Sequence, residues 1–330
     1  MMRYLIYLIS IAFLISCGSD DDSSGSSSKE AFQSIVIENG SSLNFNLYAN
    51  VDVSSSGSSQ YRNLLLYMHG ASLDGEDYYD SAKRAVSSAG KSDDTIVVAP
   101  QFQTEDTKNN YVWGQYSWKN GDFSNNGEPK ISSYAVLDRL LMDYVLANYP
   151  SIENVILAGH SAGGQLIYRY ALLTDLPEQS GLLIHWLPMN PSSYAYIGPE
   201  RWDDTAQAFV VPSDIPACPH YNSWIYGLEN LSSNQYDSSI SPTAVAALFP
   251  ERLVTIGVGT NDTGTPADQG CEADLMGPNR FERGVLANKF IDFKDQANQQ
   301  ALIEVQGVGH DGAAMINSQE IVQYISQIFE

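Results

Sequence analysis

Residues 154–170 read NVILAGHSAGGQLIYRY. Asn154 to Ala158 is a short apolar run, fit for a buried strand. After Gly159-His160-Ser161-Ala162-Gly163 come Leu166, Ile167, Tyr170 and Ala171, apolar at helical spacing. A strand that passes into a helix through so short a turn brings the two backbones nearly into contact. Gly159 and Gly163 leave room for that contact, and Ser161 sits between them on a strained turn. The helix that begins under the serine aims its first amides there, and they favour negative charge.

The surrounding chain alternates strands with helices. Ile35–Ile37 and Leu43–Tyr48 read as two leading strands joined near Asn39-Gly40. Leu64–His69 is a buried strand, Tyr78–Ala89 a helix, and Thr95–Ala99 a strand closed by Pro100. Tyr134–Asn148 carries Val136, Leu137, Leu140, Leu141, Tyr144 and Val145 on one face and stops at Pro150. Further strands are expected at Leu183–Met189, Arg252–Val258 and Ala301–Gln306, with helices at Phe281–Ala297 and Gln319–Ile328. Such alternation, with several strands continuously apolar, implies an α/β fold: a mostly parallel central sheet with helices on both faces. The interval from Asn190 to Pro250 is far longer than an ordinary connection. It holds Tyr194, Tyr196, Trp202, Tyr221, Trp224 and Tyr226, and residues 191–250 are expected to form a cap or lid over the C-terminal edge of the sheet.

Residues 1–16 read as a targeting segment. Met1 to Arg3 supplies a positive start, and Tyr4 to Ile15 is apolar but shorter than the roughly 20 residues a membrane span needs. Leu14-Ile15-Ser16-Cys17 resembles a bacterial lipobox, which implies cleavage before Cys17, lipidation of Cys17 and a lipid anchor as the only membrane contact. Residues 17–30, with the low-complexity run GSDDDSSGSSS, form a flexible acidic tether. The Cys-Gly-Ser-Asp-Asp-Asp start resembles lipoprotein export signals of Bacteroidota. The expected location is therefore the envelope of a Gram-negative bacterium, on the outer membrane, periplasmic or surface-exposed. The catalytic domain is expected to span residues 31–330.

A net charge of −22 over 330 residues argues against nucleic acid as a partner, since phosphate backbones need lysine and arginine. The five histidines separate by position. His160 adjoins Ser161, where its ring is expected to point away. His185 is mid-strand, His220 lies in the long interval, and His69 ends a strand beside a Gly-Ala turn that it is expected to shape. His310, in Gly307-Val308-Gly309-His310-Asp311-Gly312, follows a strand and precedes the last helix, where an imidazole can reach back over the sheet edge. Serine is a poor nucleophile without such a base, and the base needs an oriented carboxylate. Asp262 in Gly259-Thr260-Asn261-Asp262-Thr263-Gly264 is the choice, with Asp268, Asp274 and Asp311 as alternatives. The backbone amides of Ala162 and of Ala71, with Ser72 as the alternative, are candidates for an oxyanion hole.

With His69-Gly70-Ala71, Gly159-His160-Ser161-Ala162-Gly163, the Asp262 loop and the Gly309-His310 loop, the chain resembles the α/β-hydrolase superfamily over residues 31 to 330. The order Ser161, Asp262, His310 is the order of that fold. The resemblance implies acyl-serine chemistry, most often hydrolysis of a carboxylic ester, with no cofactor and no metal. A serine peptidase or amidase, and a surface-tethered binding protein without turnover, are the alternatives. Gly277-Pro278-Asn279-Arg280-Phe281-Glu282-Arg283-Gly284 resembles a signature of a subgroup of hydrolases but names no substrate. The chain lacks a His-Gly-Gly-Gly loop.

Three further expectations concern the surroundings. Cys218 and Cys271 are the cysteines left beside Cys17, and in an oxidising compartment a disulfide between them pins the cap beside the acid loop. Tyr111, Trp113, Tyr116 and Trp118 precede the loop Lys119–Gly127 and have two readings: an exposed platform for sugar rings or aryl groups, which admits a carbohydrate-linked ester beside small-molecule esters, or packing of the loop against the sheet edge. His69, Trp113 and Trp224 are the candidates for lining the substrate pocket.

Overall fold

A computed structural model describes residues 31–105, 109–213 and 217–330. Residues 1–30, where a targeting segment, a lipidated Cys17 and a tether are expected, lie outside the described residues. Among the described residues no helix is long and apolar enough to cross a membrane.

The chain runs β1 (Phe32–Asn39), β2 (Ser41–Ala49), β3 (Asn63–Met68), α1 (Gly75–Ser88), β4 (Thr95–Gln101), α2 (Ser133–Arg139, continuing as π-helix through Leu146), β5 (Asn154–His160), α3 (Ala162–Leu173), α4 (Leu176–Ser180) and β6 (Ile184–Met189). It continues β7 (Arg201–Asp203), β8 (Ala208–Val210), α5 (Pro242–Leu248), β9 (Leu253–Gly259), α6 (Cys271–Asp274), α7 (Arg280–Lys294), β10 (Ala301–Val305), α8 (Gly312–Ile316) and α9 (Gln319–Ile328). Eight strands form one sheet in the order β1-β2-β4-β3-β5-β6-β9-β10. From β4 to β10 every neighbouring pair is parallel, while β1–β2 and β2–β4 are antiparallel.

Side-chain alternation along the strands assigns each helix its face. Leu64, Leu66 and Met68 of β3 and Val155 and Leu157 of β5 point into one core, packed with Leu137 and Leu140 of the α2 segment, Leu166 and Ile167 of α3 and Phe290 of α7. Leu65, Tyr67, Ile156 and Ala158 point to the other face, against Tyr79 and Ala82 of α1 and Ile321 and Ile325 of α9. Strands buried on both faces need no polar alternation, hence their continuously apolar sequences.

Pro100 does not close its strand. It lies within β4 opposite Leu47 of β2, and the ladder to β3 has already ended at Val98. A proline there removes no ladder hydrogen bond on the β3 side.

The interval after β6 carries the β7–β8 hairpin and α5. Phe209 of β8 packs on Phe290 and Phe293 of α7, with ring centroids 5.3 Å apart in each pair. The buried guanidinium of Arg201 gathers the turn by donating to the carbonyls of Gly198, Glu200, Tyr221 and Tyr226. A disulfide between Cys218 and Cys271, 53 residues apart, ties this interval to α6.

Of the two readings of the aromatic stretch, the exposed platform is corrected and the packed one holds for three of the four rings. Trp113 and Trp118 are 0% exposed and Tyr111 1%, and only Tyr116 faces solvent, at 56%. Phe102 stacks on Trp118 at 5.2 Å and meets the edge of Trp113 at 4.9 Å. Each indole N–H finds a carbonyl, Trp113 on Asp122 and Trp118 on Gln115. Burial of large rings with satisfied N–H groups outweighs any exposed role.

Candidate active site

The turn between β5 and α3 is built by close approach. A Cβ on Gly159 would stand 2.4 Å from the Gly163 carbonyl oxygen, and one on Gly163 would stand 2.4 Å from the carbonyl oxygens of both Met68 and His69. Strand, helix and the β3 end therefore touch backbone to backbone, which only glycine allows. Ser161 takes the strain, with φ 57° and ψ −115°, a conformation that L-residues avoid. Its own amide is fixed by donating to the Met189 carbonyl at 2.9 Å. The hydroxyl is thus lifted to the C-terminal edge of the sheet.

Two more loops meet it there. After β9 the chain turns sharply, with the Asp262 amide donating to the Gly259 carbonyl at 2.9 Å. After β10 the Val308 carbonyl accepts the Asn261 amide at 2.9 Å, joining the two loops. Asp262 Oδ2 lies 2.7 Å from His310 Nδ1, and His310 Nε2 lies 2.9 Å from Ser161 Oγ. The carboxylate is buried, at 3% exposure, while the imidazole side chain keeps 31%. Of the alternative carboxylates, Asp274 pairs with Arg283 at 3.0 Å, Asp311 accepts the Ala314 amide of α8, and Asp268 accepts from Tyr226 Oη.

The structure corrects the expectation for His160. Its ring does not turn away but stacks on His310, with centroids 4.6 Å apart. Nδ1 contacts Tyr78 Oη at 3.1 Å and Nε2 contacts Asn190 Nδ2 at 3.5 Å. Burial, aided by the neighbouring His310 and Arg280 charges, holds its pKa well below the ordinary histidine range.

His69 and Trp113 do not line the cavities at Ser161, and Trp224 does not either. His69 is buried: Nε2 accepts the Phe102 amide at 3.1 Å, so Nδ1 carries the proton and donates to the Gly70 carbonyl at 2.8 Å. Burial pushes its pKa down to about 4. It shapes the Gly70-Ala71 loop, where a Cβ on Gly70 would stand 3.8 Å from Ser161 Cβ. Trp113 is in the core, and beyond Trp224 it is Ile225 and Tyr226 that reach the site.

Two cavities open from Ser161. One, of about 440 Å³, is lined by Ala71, Lys119, Asn120, Ala162, Gln165 and Tyr226 among others. The other, of about 530 Å³, is lined by Gly70, Tyr78, His160, His310 and Asp311 among others. The Ala162 amide opens α3, so it has no acceptor within the helix, and Ala71 borders both cavities. Among the described residues Cys218, Cys271 and Glu272 come together as metal ligands would, but the disulfide consumes both thiols.

Two residues of the site had no sequence assignment. Arg280 donates Nη1 to Asp262 Oδ1 at 3.4 Å and Nε to Ser192 Oγ at 3.0 Å. Its signal was present in the Gly277–Gly284 stretch, where Asn279 caps α7 by accepting the Glu282 amide and Arg283 donates to the Ser192 and Asp268 carbonyls. Asn190, at φ 46°, accepts the Gly259 amide at 2.9 Å and donates to the Gly309 carbonyl at 3.3 Å. It pins the acid loop to the His310 loop, and nothing in its sequence setting marks it.

A family model described as the alpha/beta hydrolase family matches residues 65–323. Among solved structures, the poly(3-hydroxybutyrate) depolymerase LpqC of Bordetella parapertussis is similar at TM-score 0.58 and 22% identity, over 87% of this chain and 84% of that one. Poly(aspartic acid) hydrolase-1 of Sphingomonas sp. KT-1 is similar at TM-score 0.59 and 19% identity, over 91% of this chain and 99% of that one. No curated protein matches the sequence. A strained serine between close-packed glycines, an eight-stranded and mostly parallel sheet, and a family match over most of the chain converge: the protein belongs to the alpha/beta hydrolase family.

Proposed function

We propose that the protein is a serine hydrolase that cleaves carboxylic esters through an acyl-serine intermediate. Ser161 Oγ attacks the ester carbonyl as His310 Nε2 takes its proton. Asp262 holds the Nδ1–H and stabilises the imidazolium. The amides of Ala162 and Ala71 bind the developing oxyanion, a contribution of about 2.7–4 kcal/mol for each donor. Collapse breaks the bond to the leaving oxygen, which receives the proton from His310. Water, activated by the same imidazole, then releases the acid and restores Ser161. The observation that carries this reading is the 2.9 Å approach of His310 Nε2 to Ser161 Oγ, backed by Asp262 at 2.7 Å.

A fluorophosphonate probe should label the protein at Ser161 and fail on Ser161→Ala. Acetyl, butyryl and longer p-nitrophenyl esters, assayed beside aminoacyl anilides, separate an esterase from a peptidase or amidase. Faster anilide cleavage reverses the ester assignment, and absence of labelling points to a binding protein. The polyester depolymerase and the poly(aspartic acid) hydrolase share the fold at 22% and 19% identity, too distant to carry a substrate across. The lipobox at Cys17 supports placement on the outer membrane of a Gram-negative envelope, checked by metabolic labelling with an alkynyl fatty acid and its loss in Cys17→Ala.

A further inference from the structure

The two cavities that meet at Ser161 receive different halves of an ester. His310 must hand its proton to the leaving oxygen, so the leaving group occupies the cavity that His310 lines. The acyl group is left with the other, which His310 does not line and to which Ala162 belongs. That division rests on the serine-hydrolase reading above.

The acyl cavity mixes apolar lining from Ala71, Ile225 and Ala267 with polar and charged groups. Asn120, Gln165, Ser192 and Tyr226 line it, together with Lys119 and Asp268. The two charges are not equally engaged. Asp268 accepts from Tyr226 Oη at 3.2 and 3.3 Å. The Lys119 ammonium makes no hydrogen bond or ion pair among the described residues. The Tyr116 ring, with its centroid 5.7 Å away, is the aromatic beneath it. Behind the cavity wall lies a second cation, the wholly buried Arg169. It donates to Gln165 Oε1 at 3.2 Å, to Ser193 Oγ at 3.0 Å and to the Ile225 carbonyl at 3.1 Å. Among the described residues no carboxylate lies within 4.0 Å of it. A half-buried amine with no hydrogen bond or ion pair among the described residues, backed by a buried guanidinium with no carboxylate in direct contact, makes this wall a place for an anion, with Asp268 as the nearby countercharge to both.

We propose that the acyl cavity takes an acyl chain ending in a carboxylate, held by Lys119, so that the preferred substrates are half-esters of dicarboxylic acids. Burial beside Arg169 brings the Lys119 amine down to about 8, still protonated at neutral pH. An arriving carboxylate gives the Lys119 ammonium the direct ion-pair partner it lacks among the described residues.

The test compares monomethyl succinate, glutarate and adipate with methyl butanoate, pentanoate and hexanoate, followed by proton release at pH 7. The quantity read is the ratio of kcat/KM within each pair of equal chain length. The best half-ester should exceed its neutral partner by about tenfold or more, the scale of one charge-assisted contact. Lys119→Met should bring that ratio close to one, and Lys119→Arg should keep most of it. Lys119→Gln serves in place of Met if the latter does not fold. Ratios at or below one in the wild type for all three pairs overturn the inference, as does a ratio that Lys119→Met or Lys119→Gln leaves intact. Labelling of Ser161 with neutral esters hydrolysed indifferently sinks this inference alone. Absence of both labelling and turnover sinks the serine-hydrolase reading and this one with it.

Discussion

Arg280 and His310 divide the Asp262 carboxylate between them: Arg280 Nη1 stands 3.4 Å from Oδ1 and His310 Nδ1 2.7 Å from Oδ2. The carboxylate is buried and would rotate or shift if held at one oxygen only. Arg280 is itself fixed by Ser192 and by its place in the first turn of α7. Replacement by Met should lower kcat on the order of 10–100-fold, the cost of a small misplacement of the base, and leave KM for small esters nearly unchanged. Arg280→Lys should recover part of kcat, since it restores charge without the planar fork. Equal kcat in Arg280→Met and wild type would show that His310 alone orients Asp262.

His69 gives the fold an acid-sensitive point. It is neutral in the native state with a pKa of about 4, against 6.5 when exposed. Between those values the unfolded chain binds a proton that the native protein does not, so stability falls as pH drops from about 6.5 toward 4. The loss amounts to about 3 kcal/mol across that window. Chemical denaturation at pH 7.0, 5.5 and 4.5 should show a shallower loss in His69→Gln than in the wild type. Parallel slopes would place the acid sensitivity elsewhere.

Gly163→Ala should cost at least about 1–3 kcal/mol, because the methyl would stand 2.4 Å from two backbone carbonyls that belong to β3 and its exit. Neither can retreat without opening the sheet. Gly264→Ala, whose methyl meets nothing within 4 Å, is the control and should unfold at the wild-type denaturant midpoint. Similar midpoints for the two variants would refute the close-contact account.

Reduction of Cys218–Cys271 releases a closure 53 residues long, worth about 4 kcal/mol in the chain-entropy treatment. The interval between β6 and β9 should become protease-sensitive first, because the bridge ties it to α6. Limited proteolysis with and without reductant, read by mass spectrometry, checks this. Cleavage beginning in the central sheet strands instead would count against it.

The local features were legible in the chain. A five-residue strand-to-helix turn forces glycine by steric contact alone, and alternation between two apolar faces marks β3 and β5 without any knowledge of their partners. The serine, the imidazole loop and the acid loop could be named because parallel strands all deliver their C-terminal ends to one edge of a sheet. Between platform and packing, the aromatic stretch around Trp113 is undecided by sequence, since exposure is set by what folds over a segment, and here Phe45 and Phe102 cover it.

Sequence favours Asp262 as the carboxylate facing His310, but Asp268, Asp274 and Asp311 are also within reach along the chain. Tertiary structure settles their placement by giving Tyr226 to Asp268, Arg283 to Asp274 and the α8 amide to Asp311. Arg280 and Asn190 follow the same logic: each acts on residues from another strand's end. Periodicity and steric contact between near neighbours are short-ranged and written in sequence. The pairing of charges and hydrogen-bonding groups far apart along the chain depends on distances that exist only once the sheet has brought its loops together.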